Sequence, residues 1–133
     1  MNILDENLVD SQRRQLLAWR IRVSQIGYEV GRKGMDDRDG IVPLLHHLRQ
    51  PTFFTRDADF YDRRLRHPRY CIVCLRVGQD EVAETIRRFL RHPAFNTHAK
   101  RSGQVVRIGP AGITFWQVGL EEERALEWSG IGE

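Results

Sequence analysis

The run Tyr70-Cys71-Ile72-Val73-Cys74-Leu75-Arg76-Val77 constrains the fold more than any other stretch of the chain. A strand that is apolar at nearly every position has no side to offer water. It must be covered on both faces, as happens in parallel sheets overlaid by helices. The rest of the first ninety residues supplies such covers. Residues 1–4 start a strand, and Leu8, Leu16, Leu17 and Trp19 then recur near the helical period, predicting a helix over about 9–19. Residues 21–26 read as a short strand ending at Gly27, and residues 31–38 as a loop. Ile41, Leu44, Leu45 and Leu48 mark a second helix, with Asp39 as its N-cap and Pro43 early enough to be tolerated. Thr52-Phe53-Phe54-Thr55 is a strand, residues 59–69 form an arginine-rich connector, and residues 80–90 form a helix with Val82, Ile86, Phe89 and Leu90 inward. Residues 105–108 and 113–118 read as a C-terminal β-hairpin across the turn 109–112. This alternation predicts an α/β fold: a mostly parallel central sheet with helices on both faces, whose ligands collect beyond the carboxyl ends of the strands.

A chain of 133 residues fits a single domain, here residues 1–119, followed by an acidic tail over 120–133. The tail carries five glutamates against Arg124, a net of −4, so the body carries +7 of the overall +3. A basic body favours a polyanionic partner. No charged leader precedes an apolar stretch at Met1, and no apolar run approaches the roughly 20 residues that span a bilayer, so the expected location is the cytoplasm, with no membrane partner. Cys71 and Cys74 imitate a redox or zinc spacing. On a strand, however, positions i and i+3 point to opposite faces, which makes them two buried core thiols. Adjacent His46 and His47 on a helix diverge by about 100° and make a poor chelating pair.

Four aspartates stand where such a sheet delivers side chains to one edge: Asp5 after the first strand, Asp39 opening a helix, and Asp57 and Asp59 just past Thr55. Carboxylates gathered from separate strand ends suit Mg²⁺ or Mn²⁺, which take oxygen ligands and leave positions open for water and phosphate. Thr55 is placed to orient Asp57 through its hydroxyl. Glu6, in the first turn after the strand, is favoured by a helix dipole. Arg56, Arg63, Arg64 and Arg66, with Arg69, flank the acidic residues and are candidate contacts to RNA phosphates; Arg87, Arg88 and Arg91 extend that track.

The string Ile3-Leu4-Asp5-Glu6-Asn7-Leu8, an aspartate opening a helix at Asp39, and Phe54-Thr55-Arg56-Asp57-Ala58-Asp59-Phe60 together resemble the small bacterial PIN-like proteins related to VapC-type toxins. The resemblance covers residues 1–60 by motif and continues to about 118 by architecture only. It implies a three-layer α/β/α sandwich and a Mg²⁺- or Mn²⁺-dependent endoribonuclease, commonly the toxin half of a toxin–antitoxin pair. Asp5, Asp39, Asp57 and Asp59 would then be the catalytic and metal-binding cluster, with Glu6 and Asn7 belonging to the first motif. The partners would be an RNA substrate and a small antitoxin, with a second copy of the chain also open. The pattern departs where PIN domains place a late acidic residue after the fourth strand: Val77-Gly78-Gln79 intervenes before Asp80, and Asp59 would take that place. Two rival readings stand beside it. One is a catalytically silent PIN-like binding module. The other is a receiver-type phospho-acceptor domain, for which a lysine after the last parallel strand is required and only Lys33 and Lys100 are present.

Overall fold

The apolar run in the middle of the chain becomes the middle of the sheet. The computed structural model describes residues 1–128, apart from the side chains of Asp37 and Arg38. Its strands are β1 (Asn2–Leu4), β2 (Ser24–Gln25), β3 (Thr52–Thr55), β4 (Cys71–Leu75), β5 (Gln104–Gly109), β6 (Gly112–Gln117) and β7 (Arg124–Leu126). They lie side by side in the order β2-β1-β3-β4-β5-β6-β7. The first five strands run parallel, β6 is antiparallel to β5, and β7 is antiparallel to β6. The helices are α1 (Asp10–Ala18), α2 (Val42–His47), α3 (Val82–Arg91) and a short α4 (His98–Arg101).

Strand alternation deals the apolar side chains to two cores. Leu4, Phe54, Val73 and Val106 point to one face, where Leu16 of α1 and Ile86 and Phe89 of α3 cover them. Ile3, Phe53, Ile72 and Val105 point to the other, beneath Ile41, Leu45 and Phe60. The protein is therefore α/β, with a mostly parallel sheet covered on both faces. All five residues of β4 are buried, as its composition requires. Cys71 joins the first core and Cys74 the second, so the two thiols lie on opposite faces of the sheet. Burial pushes both thiols up to about 12.

Several local expectations need correcting. The second strand is only two residues long, Ser24 and Gln25 pairing with Ile3 and Leu4, while Ile21 and Val23 pack on the first core. Asp39 is not an N-cap. It lies inside a π-helical turn, Asp37–Ile41, in which the amides of Gly40 and Ile41 both donate to the Asp36 carbonyl, at 3.1 and 3.0 Å, before α2 begins. The β5–β6 connection is tighter than foreseen, since Gly109 pairs with Gly112 and only Pro110 and Ala111 turn the chain.

The acidic tail joins the body. β7 pairs with β6, the Trp128 indole N–H donates to the Gly109 carbonyl at 3.1 Å, and the Trp128 ring packs on the first core. Residues 129–133 of the tail lie outside the described residues. Gly112 permits this docking: its φ is +149°, and a Cβ there would sit 2.9 Å from the Leu126 carbonyl oxygen. Among the described residues, no helix is long and apolar enough to cross a membrane.

Thiolates, not thiols, react, so buried thiols with raised pKa values are inert in the native state. Neither Cys71 nor Cys74 should be labelled by a thiol-reactive dye at pH 8 until the protein is denatured, when both should react. Rapid native labelling of either would contradict the assigned core.

Candidate active site

The strand order reverses between β1 and β3. From β1 the chain moves outward through α1 to β2, then crosses back by way of α2 to β3, on β1's other side. The crevice beyond the carboxyl ends of two such strands is where open α/β sheets bind ligands. Asp5 is the first residue after β1, and Asp57 the second after β3. Their meeting is thus a product of topology.

Asp5 is 6% exposed, and its amide donates to the Phe54 carbonyl at 2.9 Å, continuing the ladder past the end of β1. The Thr55 hydroxyl donates to Asp5 Oδ2 at 2.6 Å and accepts the Asp57 amide at 3.0 Å. One hydroxyl therefore fixes both motifs. Asp57 Oδ1 in turn accepts the Asp59 amide at 2.9 Å, an Asx turn that opens the 3₁₀ turn Ala58–Phe60. The amides of Asn7 and Glu6 also donate to the Asp5 carboxylate. Burial raises the Asp5 pKa above the ordinary carboxylate value; the three donors oppose the shift and the negative charge of Asp57 adds to it.

The loop carrying Asp5 is held from below by a residue with no place in the motif. Gln25, in β2 and 2% exposed, donates from Nε2 to the carbonyls of Asp5 and Leu8 at 3.0 and 2.9 Å. Its own amide donates to Glu29, whose carboxylate is paired with Arg13 at 2.6 Å. Glu6 accepts the Gly34 amide at 2.7 Å, which ties the same loop to the segment after β2. Glu6 therefore serves as a loop anchor, and Asn7 contributes its backbone N–H.

Among the described residues, no three His, Cys, Asp or Glu side chains form a metal-holding group. The structure brings Asp5 and Asp57 together around Thr55, while Asp59 follows in the capped turn and exposed Asp39 sits in the π-helical turn. Two hard carboxylates, one of them desolvated and raised by its neighbour, fit the coordination habit of Mg²⁺, which is bound by one or two carboxylates plus waters and substrate phosphates.

The flanking arginines are engaged within the protein. Arg56 Nε donates to the Val77 carbonyl at 3.0 Å, Arg64 pairs with Asp62 at 2.8 Å, and Arg63 lies over the Trp116 ring. Arg66 donates to the carbonyls of Arg63, Gln117 and Leu120, fastening the connector to the end of β6. Arg87 lies over Trp19 and Arg88 over Trp128. His46 meets His67 edge to face, and not His47 as a chelating partner. The sequence reading passed over Gln25, Arg76 and Arg107. A polar residue inside the short strand before Gly27, and an arginine interrupting Val105-Val106-Arg107-Ile108, were the available signals.

No family model matches the chain, and neither a curated protein nor a solved structure shows significant similarity to it.

Two stability effects follow. Gln25→Leu strands the carbonyls of Asp5 and Leu8 and should destabilise the protein by about 2–6 kcal/mol in denaturant titration, at roughly 1–3 kcal/mol for each unsatisfied group. Asp5 is protonated more readily in the folded state than in the unfolded state, so its contribution is fully present below its unfolded pKa and is lost as pH rises through the folded one. Asp5→Asn should therefore flatten the pH dependence of the metal-free protein's Tm above the ordinary carboxylate range. A pH dependence as steep as that of the wild type would argue that Asp5 does not titrate differently in the folded and unfolded states.

Proposed function

We propose that the chain is a Mg²⁺- or Mn²⁺-dependent endoribonuclease of the PIN-like type. The observation that carries this reading is the Asp5–Thr55–Asp57 relay at the sheet's switch point: a nearly buried carboxylate held by three donors beside a second carboxylate. Burial of a carboxylate beside a second negative charge is the kind of perturbed electrostatics that clusters at functional sites. A divalent cation bound there would polarise a phosphate and lower the pKa of a water. Asp5 and Asp57 would hold it, with Thr55 bonded to the Asp5 carboxylate and the Asp57 backbone amide, and Asp59, in the turn that Asp57 caps, would orient the attacking water. Asp39 would enter from the π-helical turn.

The same reading assigns residues 1–119 to a three-layer PIN-like domain whose β5 and β6 form its hairpin, and residues 120–133 to an acidic appendage. It makes the chain a cytoplasmic toxin with a small antitoxin partner.

The strand order gives one observation in favour of a receiver-type phospho-acceptor: β2-β1-β3-β4-β5 is the flavodoxin-like order that receivers share, and Asp57 follows β3. The lysines weigh against it. Lys100 lies on α4 ahead of β5 and donates to the Pro93 carbonyl and Asn96, while Lys33 lies beside Tyr28 in the segment after β2. Neither is placed after β5.

Incubated with single-stranded or structured RNA and Mn²⁺, the protein should cleave it. Asp57→Asn and Asp5→Asn should each lower the rate by about 10²–10³-fold, as removal of one electrostatic element of a site does. Cleavage that survives both substitutions and chelation would remove the proposal. Absence of both cleavage and Mn²⁺ binding would favour the silent module, and labelling of Asp57 by acetyl phosphate would favour the receiver.

A further inference from the structure

We infer that the carboxyl edge of the sheet carries a single-stranded RNA track beyond the acidic pair, in which Arg76 and Arg107 hold phosphates and Glu123 of the tail competes with them for Arg107. The inference rests on the ribonuclease reading for its substrate class and names the surface that reading lacked.

Register places the track. Thr55 pairs with Cys74, Cys74 with Arg107, Arg107 with Thr114 and Thr114 with Ala125, a single row across five strands. The row begins at the hydroxyl that holds Asp5. With neighbouring strands about 4.8 Å apart, Arg107 stands roughly 10 Å from Thr55 along the row. Arg107 shares a sheet face with Thr55 and Cys74, two and one strands away.

Two grooves follow the same edge and share Arg76. The nearer, about 360 Å³, is lined by Arg56, Arg76 and Gly78, with Glu81, which accepts the Gly78 amide, as its opposing charge. The farther, about 740 Å³, is bounded by Arg76, Arg107, Gly109, Thr114, Ala125 and Leu126. The track thus runs from Arg56, the neighbour of Asp57, past the ends of β4 and β5 to β7. Its far part is floored by glycine, alanine and apolar carbon, a surface a base or ribose can lie on, while arginines supply the charge that phosphates require. Glu127 is the opposing charge at the far rim.

Both arginines are held in place without being used up. Arg76 donates from Nη1 to the Arg56 carbonyl at 2.8 Å, and the residue stays exposed. Arg107 lies 4.6 Å from the centre of the Tyr61 ring with 46% of its side chain exposed. Its carboxylate partner, Glu123 Oε2, lies 4.0 Å away and accepts the Tyr61 hydroxyl. That is the length of a loose ion pair, so Glu123 occupies the arginine without satisfying it. A phosphate oxygen at 2.7–2.9 Å would bind it better. The tail lies where it can be displaced from Arg107 while β7 stays paired, because Glu123 precedes the strand.

The test is fluorescence anisotropy of a labelled single-stranded RNA oligonucleotide in EDTA, so that binding is read without cleavage. The Arg76→Gln/Arg107→Gln variant should bind at least about tenfold more weakly. Its log–log salt slope should be shallower by about 1.4, at roughly 0.7 per phosphate contact on a single strand. Glu123→Gln should bind about two- to fivefold more tightly, the range an exposed ion pair can contribute. This opposite change keeps the inference testable if the double variant does not fold.

The inference is overturned if the folded double variant keeps wild-type affinity and slope, if Glu123→Gln binds no more tightly, or if the wild type does not bind the oligonucleotide. Cleavage assays separate the two claims. Lost binding in the groove variants of a protein that never cleaves would sink the nuclease and leave the track standing. Cleavage with an unchanged KM in the groove variants would sink the track and leave the nuclease.

Discussion

A carboxylate taken almost entirely out of water must find donors, and Asp5 finds them in the Thr55 hydroxyl and the amides of Glu6 and Asn7. That bond between neighbouring parallel strands is the constraint on which the site depends. It fixes where the loop after β1 lies relative to the turn after β3, since Thr55 also holds the Asp57 amide. Gln25 repeats the device one strand farther out, bonding the carbonyls of the same loop from β2. Three strand ends are therefore locked together by buried polar contacts, and each contact is satisfied at the others' expense if one is lost.

The sheet makes this arrangement natural. A chain that leaves β1 to one side and returns on the other opens a crevice at the carboxyl ends, and the residues that follow β1 and β3 must line it. Beyond them the antiparallel strands β6 and β7 extend the edge without adding carboxylates to the crevice. The edge there carries Arg76 after β4 and Arg107 of β5, glycine and alanine from β6 and β7, and Glu127 at the far rim. The acidic and basic parts of the molecule thus fall along one line, with the acidic pair at the switch point and the cations outward from it. The arginines of the connector serve a different purpose: Arg63 and Arg66 fasten the 3₁₀ segment to the end of β6, which keeps Tyr61 under Arg107.

The sheet was legible where side chains answer to a single period. The apolar run over β4, the paired phenylalanines of β3 and the inward stripe of α3 each read correctly, because burial on two faces or on one stripe leaves few alternatives. Asp5 and Asp57 were legible for the same reason: each sits one or two residues past a strand that could be recognised. What escaped depends on contacts between distant segments. Nothing near Asp39 announces that the chain widens into a π turn, so the aspartate was read as a cap. The pairing of β7 is written in the space above Gly112, not in the pattern of Arg124-Ala125-Leu126. Gln25 looked like an interruption in a strand because its partners lie on the loop twenty residues earlier. Of the four aspartates, Asp5 and Asp57 meet at Thr55, Asp59 follows in the turn that Asp57 caps, and among the described residues no three such side chains form a metal-holding group.

In the proposed site a divalent cation is held between Asp5 and Asp57. Calorimetric titration of the purified protein with Mn²⁺ tests it most directly. The account predicts saturable binding to the wild type, abolished by Asp57→Asn and by Asp5→Asn while both variants remain folded. Absence of binding to the wild type, or binding undiminished in the two variants, would contradict it.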